Sequence, residues 1–457
     1  ECAGASGTDC LLPITFTYQN GTNGIGAAVA AGATTAAPAA TRVMDVNGDG
    51  RSDLVYPSTN VSGTGVWMVA LANTSGGYST AVSSGVANVN FTRAIPIDYN
   101  ADGFDDLLYP DGSNVWQVAI GNTSGLGSAT SLGLSTASAN SIPTALDVDG
   151  DGLEDIVELT NDPVTGSRIE YRLRLVAGGF GSLTGWFGPG ANYYISVYGL
   201  GTDVFRRRAR AADFNGDGHG DLLISVTDCT AGITSCFTYY EGLLGGGGGG
   251  IIFTGLTGLS DAAFADLNGD RYTDIVSSSG GYWYAWYGVG AAFVIAGSPV
   301  GPVGTGSYRA VVQDWDHDGY EDILTVGSNG NWYVIRSTGI GLAAPVDTGV
   351  YAGSISAGFA ADVNGDDLDD VVYADSGGVL RFHLHSGVKP DLMATATDGY
   401  GNVVTFSYTS IVQNNYQKYN DAVLPGGVGY AGYQDFQGPL YVVSQYTATD
   451  GTNGSAA

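Results

Sequence analysis

Seven acidic loops of nine residues recur along this chain, and each places an oxygen-bearing side chain at positions 1, 3, 5 and 9. Positions 1, 5 and 9 are always aspartate, whereas position 3 is asparagine in five loops and aspartate in two. We number the loops 1 to 7; they are residues 45–53, 98–106, 147–155, 213–221, 266–274, 314–322 and 362–370. Alternating oxygen ligands in a tight loop are typical of a site for a hard cation.

The donor set and its spacing predict Ca²⁺ at up to seven sites, because Ca²⁺ binds roughly six to eight oxygens at about 2.3–2.6 Å. The predicted side-chain ligands are Asp45, Asn47, Asp49, Asp53, Asp98, Asn100, Asp102, Asp106, Asp147, Asp149, Asp151, Asp155, Asp213, Asn215, Asp217, Asp221, Asp266, Asn268, Asp270, Asp274, Asp314, Asp316, Asp318, Asp322, Asp362, Asn364, Asp366 and Asp370. The predicted carbonyl ligands at position 7 belong to Arg51, Phe104, Leu153, His219, Tyr272, Tyr320 and Leu368.

Position 6 of these loops is glycine in five copies, where the chain needs a positive φ for a sharp turn. Arg271 and Asp367 replace that glycine in loops 5 and 7, so we expect strain or weaker binding there. An EF-hand shares the opening of the motif, but it needs a glutamate at position 12 and flanking helices. Here a short β-branched or apolar run follows position 9, which indicates strands instead.

Composition favours an all-β protein. The 457 residues include 73 glycines and 28 tyrosines, and only 13% of them are charged. The formal net charge is −29, and about half of the acidic residues lie at the predicted ligand positions. Nucleic-acid binding is not expected, because phosphate contacts need a basic surface.

The four cysteines form two close pairs, Cys2 with Cys10 and Cys229 with Cys236, which predicts two local disulfides. Disulfides and weak Ca²⁺ sites both suit an oxidising, calcium-rich environment. We therefore expect a secreted, extracellular or cell-surface protein. No apolar run is long enough for a membrane span.

The loops start at intervals of about 50 residues, a period typical of β-propeller blades. Each unit has a strand before the loop, a strand after it, a third aromatic strand and a weaker fourth. This pattern predicts a seven-bladed β-propeller over residues 14–388, preceded by a disulfide-linked segment at 1–13 and followed by a small β segment at 389–457. We expect an N-terminal strand to complete the last blade.

The repeated loops with their flanking strands resemble FG-GAP/VCBS repeats, which build the propellers of integrin α-subunits. The resemblance covers roughly residues 40–388, and it implies a seven-bladed propeller with Ca²⁺ in the hairpin between the first two strands of each blade.

The tail is similar to the segment that follows the propeller in toxin-complex B components and related RHS/YD-repeat proteins. The resemblance rests on residues 389–392 (KPDL), 397–402 (TDGYGN), 406–408 (FSY), 437–444 (QGPLYVVS) and 449–451 (TDG). It implies a propeller that acts as a docking or gating platform and a β-shell of YD repeats that follows it. No YD repeat lies in this chain.

Several arginines precede the loops at spacings that share one strand face. These residues are Arg42, Arg93, Arg208, Arg210 and Arg309. Their position predicts either a cationic central channel or local pairing with acidic neighbours. His383 and His385 also share a strand face, and we interpret them as an ordinary strand face, because two ligands are few for a transition metal.

The sequence lacks the G-x-S-x-G, H-E-x-x-H and P-loop motifs, so we expect no enzyme activity. The sequence indicates a calcium-binding protein-interaction platform within a larger RHS/toxin-B-like protein. Two alternatives stay open. A carbohydrate-binding propeller would repeat exposed aromatic residues between blades, and a polysaccharide-active enzyme would have one deep cleft with a carboxylate outside the loops.

Overall fold

A computed structural model of the chain gives its fold. The structure describes residues 2–3, 9–10, 13–100, 102–162, 166–175, 178–185, 209–212, 219–228, 237–243, 251–257, 263–290, 293–303, 310–413, 440–449 and 455–456. In these residues the regular secondary structure is almost entirely β, apart from short 3-10 helices at Pro38–Ala40, Phe91–Arg93 and Ile411–Gln413. The prediction of an all-β protein is therefore confirmed.

The described residues contain seven four-stranded antiparallel sheets, each with one acidic loop between its first two strands. Sheet 1 comprises β5 (Arg42–Met44), β6 (Asp53–Pro57), β7 (Val66–Ala70) and β10 (Val82–Ala87), with a small hairpin of β8 (Ala72–Asn73) and β9 (Gly77–Tyr78). Sheet 2 comprises β11 (Ile95–Ile97), β12 (Asp106–Pro110), β13 (Val115–Asn122) and β14 (Gly125–Ser135). Sheet 3 comprises β15 (Ile142–Leu146), β16 (Asp155–Asp162), β17 (Gly166–Arg172) and β18 (Thr184–Gly185).

The next three sheets repeat the same strand order. Sheet 4 comprises β19 (Ala209–Ala212), β20 (Asp221–Asp228), β21 (Phe237–Leu243) and β22 (Ile251–Thr257). Sheet 5 comprises β23 (Ala263–Ala265), β24 (Asp274–Ser279), β25 (Tyr282–Gly288) and β26 (Phe293–Ile295). Sheet 6 comprises β27 (Val311–Gln313), β28 (Asp322–Val326), β29 (Asn331–Ile335) and β30 (Val346–Tyr351).

Sheet 7 takes its fourth strand from the N-terminal region. It comprises β31 (Ile355–Ala361), β32 (Asp370–Asp375), β33 (Val379–His383) and the earlier strand β4 (Val29–Thr34). Strand β4 pairs antiparallel with β33, with Val379 opposite Thr34 and Phe382 opposite Val29. An N-terminal strand therefore completes the last sheet, as expected.

Apolar residues fill the space between neighbouring sheets. One core joins sheets 1 and 2 and includes Trp67 and Leu107, and another joins sheets 6 and 7 and includes Trp332 and Val371. A further core joins sheets 7 and 1 through Phe382 and Leu54. Because the first and last sheets pack together, the sheets close into a ring, and the predicted β-propeller architecture is confirmed.

A separate five-stranded sheet holds the C-terminal residues, in the order β3 (Thr15–Tyr18), β34 (Met393–Thr397), β35 (Val403–Ser410), β36 (Tyr441–Thr449) and β37 (Ser455–Ala456). We call it the C-terminal sheet. We expected the propeller to begin at residue 14. The structure instead places β3 in the C-terminal sheet, because β3 pairs with β34 and not with a propeller sheet. Phe16 lies opposite Ala396 in that pair.

Candidate metal centre

Each described acidic loop starts directly after the first strand of its sheet, and the second strand starts at position 9. In loop 1 the carboxylate of Asp45 accepts hydrogen bonds from the N–H groups of Asp49 at 2.9 Å and Gly50 at 2.8 Å. The amide oxygen of Asn47 accepts a second bond from the N–H of Asp49, and the carboxylate of Asp49 accepts one from Arg51. Positions 1, 3 and 5 are thereby fixed over the same turn of backbone.

Two loops bring three carboxylates close enough to hold a metal ion. In loop 3 these are Asp147, Asp149 and Asp151, and in loop 6 they are Asp314, Asp316 and Asp318. One oxygen from each residue lies within 4.8 Å of the others in its loop. These all-oxygen sets at positions 1, 3 and 5 fit the donor preference of a hard cation.

Position 9 has a second role that the sequence did not reveal. Asp53 is completely buried, and its two carboxylate oxygens accept backbone N–H bonds from Val46 at 3.1 Å and Ala72 at 2.7 Å. The first donor lies in the loop, and the second lies just after the third strand of the sheet. The carboxylate therefore ties the loop to the sheet whether or not a cation is bound.

The same pair of bonds recurs in five other sheets. Each position 9 residue accepts one hydrogen bond from the N–H of position 2. It accepts a second from an N–H in the last two residues of the third strand or in the two residues after that strand. These position 9 residues are Asp106, Asp155, Asp274, Asp322 and Asp370. Asp155 and Asp322 are not part of the carboxylate triads of loops 3 and 6. Position 9 stays a predicted ligand, but its geometry is that of a buried structural anchor.

Burial strongly perturbs these anchors. Loss of hydration raises the pKa of Asp106, Asp322 and Asp370 to about 8, although backbone hydrogen bonds act in the opposite direction. Nearby loop carboxylates contribute to the same upward shift of each pKa. Without a cation, the folded protein therefore holds protons that the unfolded chain would release.

We expect the metal-free protein to lose stability as pH rises from about 4 to about 8. The raised pKa values mean that the folded state binds more protons than the unfolded state across this window, so stability is greatest below it and levels off above it. Thermal melts of calcium-stripped protein at several pH values measure this. Added Ca²⁺ should raise the melting temperature more at pH 8 than at pH 5.5, and an equal increment at both would contradict the expectation.

Loops 5 and 7 keep the same backbone geometry despite their substitutions. Arg271 and Asp367 adopt φ values of +71° and +58°, in the left-handed region that glycine adopts most readily. Their N–H groups still donate to the position 1 carboxylates, Asp266 at 3.0 Å and Asp362 at 2.8 Å. The expected strain at position 6 is present, but the turn is retained.

Neighbouring loops are hydrogen-bonded to one another through position 8. The N–H of Asp105 in loop 2 donates to the Asp45 carbonyl at 2.9 Å, and the N–H of Asp45 donates to the Asp105 carboxylate at 2.7 Å. The same reciprocal pair joins Ser52 of loop 1 to Asp362 of loop 7, and Glu321 of loop 6 to Asp266 of loop 5. Three pairs of neighbouring loops are therefore linked in this way, and the pair formed by loops 7 and 1 crosses the closure of the ring.

Part of the predicted site lies outside the described residues. In loop 4, residues Asp213, Asn215 and Asp217 fall in this undescribed part, whereas Asp221 is described and completely buried. Cys229 and Cys236 also lie outside the described residues. Cys2 and Cys10 are opposite each other in the pair of β1 (Cys2–Ala3) and β2 (Asp9–Cys10). That register brings their backbones together, and both disulfides stay predictions.

Arg42 is buried, and its guanidinium donates to backbone carbonyls in its own sheet and the next. Its Nη2 lies 3.1 Å from the carbonyl oxygen of Ala94, and its Nη1 lies 3.0 Å from that of Thr41. These bonds place the cation between sheets 1 and 2. The donors of Arg42 are directed to protein carbonyls, and its place in a channel stays a prediction.

Arg93 is also buried, and it lies in a 3-10 helix instead of on the predicted strand face. Its guanidinium donates to the carbonyls of Ser138 and Ala139 at 3.1 Å and to the Ser141 hydroxyl at 2.7 Å. That hydroxyl in turn donates to the buried Glu158 carboxylate. Arg93 therefore joins sheets 2 and 3, which corrects its channel-lining prediction and favours local pairing.

Arg208 and Arg309 lie outside the described residues, as does the side chain of Arg210, so their predicted place in a channel is not tested. His383 and His385 are buried as part of the core around sheet 7. The His383 ring stacks on Tyr373 with a centroid distance of 5.3 Å, and the His385 ring lies 4.3 Å from Trp315. Their packing role agrees with the sequence interpretation.

Comparison with protein families supports the repeat assignment. The model for the FG-GAP-like repeat matches residues 98–158 and 266–325, which contain loops 2, 3, 5 and 6 with their flanking strands. The chain therefore contains FG-GAP-like repeats, and the resemblance to that repeat is confirmed. Comparison with curated proteins finds no relative that matches by sequence.

Solved structures with a similar fold include both toxin and lectin chains. A chain of the Photorhabdus luminescens Tc holotoxin pore is 18% identical with a TM-score of 0.47, and the match covers 87% of this chain and 20% of that one. An Agrocybe aegerita lectin that recognises non-reducing terminal N-acetylglucosamine is 17% identical, with a TM-score of 0.49 and coverage of 71% and 80%. This chain thus spans about a fifth of the toxin chain. Among the described residues, no helix is long and apolar enough to cross a membrane.

Proposed function

We propose that this chain is an extracellular, calcium-binding β-propeller with seven blades that acts as a non-catalytic docking platform in a larger RHS/toxin-B-like protein. The observation that carries this proposal is the linkage between neighbouring oxygen-lined loops. Each loop joins the first two strands of a sheet, and reciprocal hydrogen bonds join loop 1 to loop 2, loop 7 to loop 1 and loop 5 to loop 6. Cations in such loops would stiffen the ring as a surface for contacts.

The chemistry of the loops supports Ca²⁺ in a structural role. The triads at Asp147 and Asp314 offer only oxygen ligands, and Ca²⁺ accepts many oxygens in flexible geometry. Bound Ca²⁺ would neutralise carboxylates that otherwise repel one another. Asp45 and Asp362 at position 1 also carry the backbone bonds between loops, so a cation at either residue would stabilise two sheets.

The resemblance of the tail to toxin-complex B components supports the docking part of the proposal. The C-terminal sheet continues directly from the propeller, since β34 follows sheet 7 after a short connection. In this proposal the sheet leads into a shell of YD repeats, and the propeller provides the contact surface for another component. The partner is therefore a protein.

A lectin is the main alternative. The buried aromatic side chains of the third strands disfavour a lectin that binds sugars on exposed aromatic residues repeated between blades. Trp67, Trp116, Trp283 and Trp332 occupy the third strands of sheets 1, 2, 5 and 6, and all four are completely buried. They form the cores between sheets and do not supply a repeated stacking surface for sugars.

The full reading frame and a glycan array together test the proposal. We expect YD repeats downstream of the tail, no glycan retained by purified calcium-loaded protein, and no turnover of acidic polysaccharides. Native mass spectrometry should show several bound Ca²⁺ ions per chain. A reading frame without YD repeats together with micromolar glycan binding would contradict the docking proposal and favour the lectin.

A further inference from the structure

Described residues of the C-terminal segment contact loops 1 and 7 at a place that we call the docking contact and define by Lys389, Val412 and Tyr441. Val412 lies in the 3-10 helix after β35 and is only 8% exposed. The guanidinium Nη1 of Arg51, in loop 1, donates to the Val412 carbonyl at 3.4 Å. The docking contact therefore reaches loop 1 from outside the ring of sheets.

Val412 also rests on the backbone of loop 7. Gly365 occupies position 4 of that loop with φ +73°, and a Cβ added there would lie 2.4 Å from Cγ2 of Val412. The absence of a side chain at this position lets Val412 sit against the turn. Its packing depends on the shape that loop 7 holds around its predicted cation, because Asp362 and Asp366 flank Gly365.

The exceptional residue of loop 7 provides the third part of the docking contact. Asp367 replaces the usual glycine at position 6, and its carboxylate forms an ion pair with Lys389. The Lys389 ammonium also lies 5.6 Å from the centroid of the Tyr441 ring, within the range of a cation–π contact. Asp367 is thus strained at a positive φ but anchors the start of the C-terminal segment.

The carboxylates of loop 7 act electrostatically on Tyr441. Burial raises the pKa of its hydroxyl to about 12, and the carboxylates of Asp366, Asp367 and Asp362 add to this effect. The first strand residue of β36 therefore lies in the electrostatic field of two predicted ligands. A cation in the loop would reduce that field.

We propose that cation occupancy of loops 1 and 7 controls the docking of the C-terminal sheet onto the propeller. Arg51 forms an ion pair with Asp49, a predicted ligand of loop 1, at 2.8 Å and contacts Val412 with the same guanidinium. Loop 7 supplies Gly365 and Asp367 to the same contact. Without a cation, repulsion among the carboxylates reshapes both loops and removes the surface on which Val412 rests. The inference depends on the calcium binding proposed above.

Hydrogen exchange measured by mass spectrometry tests the inference on the full chain, with and without Ca²⁺. We expect the backbone amides of residues 393–410 to exchange about tenfold faster after calcium removal. A factor of about ten lies within the usual range of coupling between two sites in an allosteric protein. Strand β29 of sheet 6 contains no predicted ligand, so it serves as an internal reference and should stay protected below the melting temperature. Unchanged exchange at residues 362–370 alone would show that loop 7 binds no calcium and would overturn the inference, whereas unchanged exchange at all the acidic loops would also contradict the proposed function. Calcium-dependent exchange there without any change at 393–410 would overturn the inference alone.

Matched variants separate docking from metal binding. The double variant Lys389→Gln with Val412→Ser should exchange rapidly at residues 393–410 even with Ca²⁺, while residues 362–370 keep their calcium response. Arg381→Gln is the control, because it removes an ion pair with Asp375 at 3.0 Å at the far end of β32. If the double variant keeps the calcium-dependent protection of the unaltered protein, the docking contact does not carry the coupling.

Discussion

Asp53→Ala is expected to destabilise the protein by about 2–6 kcal/mol, because two buried N–H groups would lose their acceptor at roughly 1–3 kcal/mol each. Asp53 is completely buried and accepts bonds from Val46 and Ala72. The loss should appear with and without calcium, since the bonds are internal to the sheet. Denaturant unfolding in both conditions measures it.

Two control variants separate the anchor from the cation. Asp53→Asn keeps the shape and one carbonyl acceptor, so its cost should be smaller than that of alanine. Asn47→Ala removes a partly exposed predicted ligand together with its hydrogen bonds to Asp49, so it should lower stability more with calcium than without. A destabilisation by Asp53→Ala that vanishes in calcium-free buffer would show that Asp53 acts only as a metal ligand.

Removal of calcium is the second large effect, and it should lower the melting temperature by about 5 °C or more. One site at a calcium concentration of about 100 times its Kd stabilises the native state by about 2.7 kcal/mol. Each kcal/mol shifts the melting temperature by about 2–4 °C in domains of about 150–250 residues, and several loops would act together. Differential scanning fluorimetry with calcium and with a chelator at pH 7.5 measures the shift.

Magnesium provides the control for this experiment. Mg²⁺ demands near-octahedral geometry and releases its water reluctantly, so it should restore less of the lost stability than Ca²⁺ at equal concentration. An unchanged melting temperature after chelation, with calcium absent by elemental analysis, would show that the acidic loops are not metal sites.

The repeat, its period and the strand after each loop could be predicted because they depend on local residue types. Asp147, Asp149 and Asp151 show alternating oxygens directly in the sequence, and the structure brings them together. An N-terminal strand was expected to complete the last sheet, and that strand lies at Val29–Thr34. The sequence does not predict its bounds, because an apolar run marks a strand but not its ends.

Long-range partners could not be predicted from local patterns. Nothing near Asp105 indicates that it bonds to Asp45 in the preceding loop, and nothing near Thr15 indicates that its strand pairs with β34. Arg93 was misplaced because periodicity predicts a strand face, whereas the residue lies in a 3-10 turn whose carbonyl partners come from the next sheet. These features depend on how distant segments meet.

The pairing of the N-terminal strand β4 with sheet 7 has a consequence for folding during synthesis. Strand β4 is translated early, but its partner β33 ends at His383, more than three hundred residues later in the chain. Such distant pairing is slow, since a long polypeptide must close before the contact forms. On the ribosome, sheets 1 to 6 can assemble in order, while the edge of β4 stays unpaired and prone to aggregation until its partner strand in sheet 7 emerges.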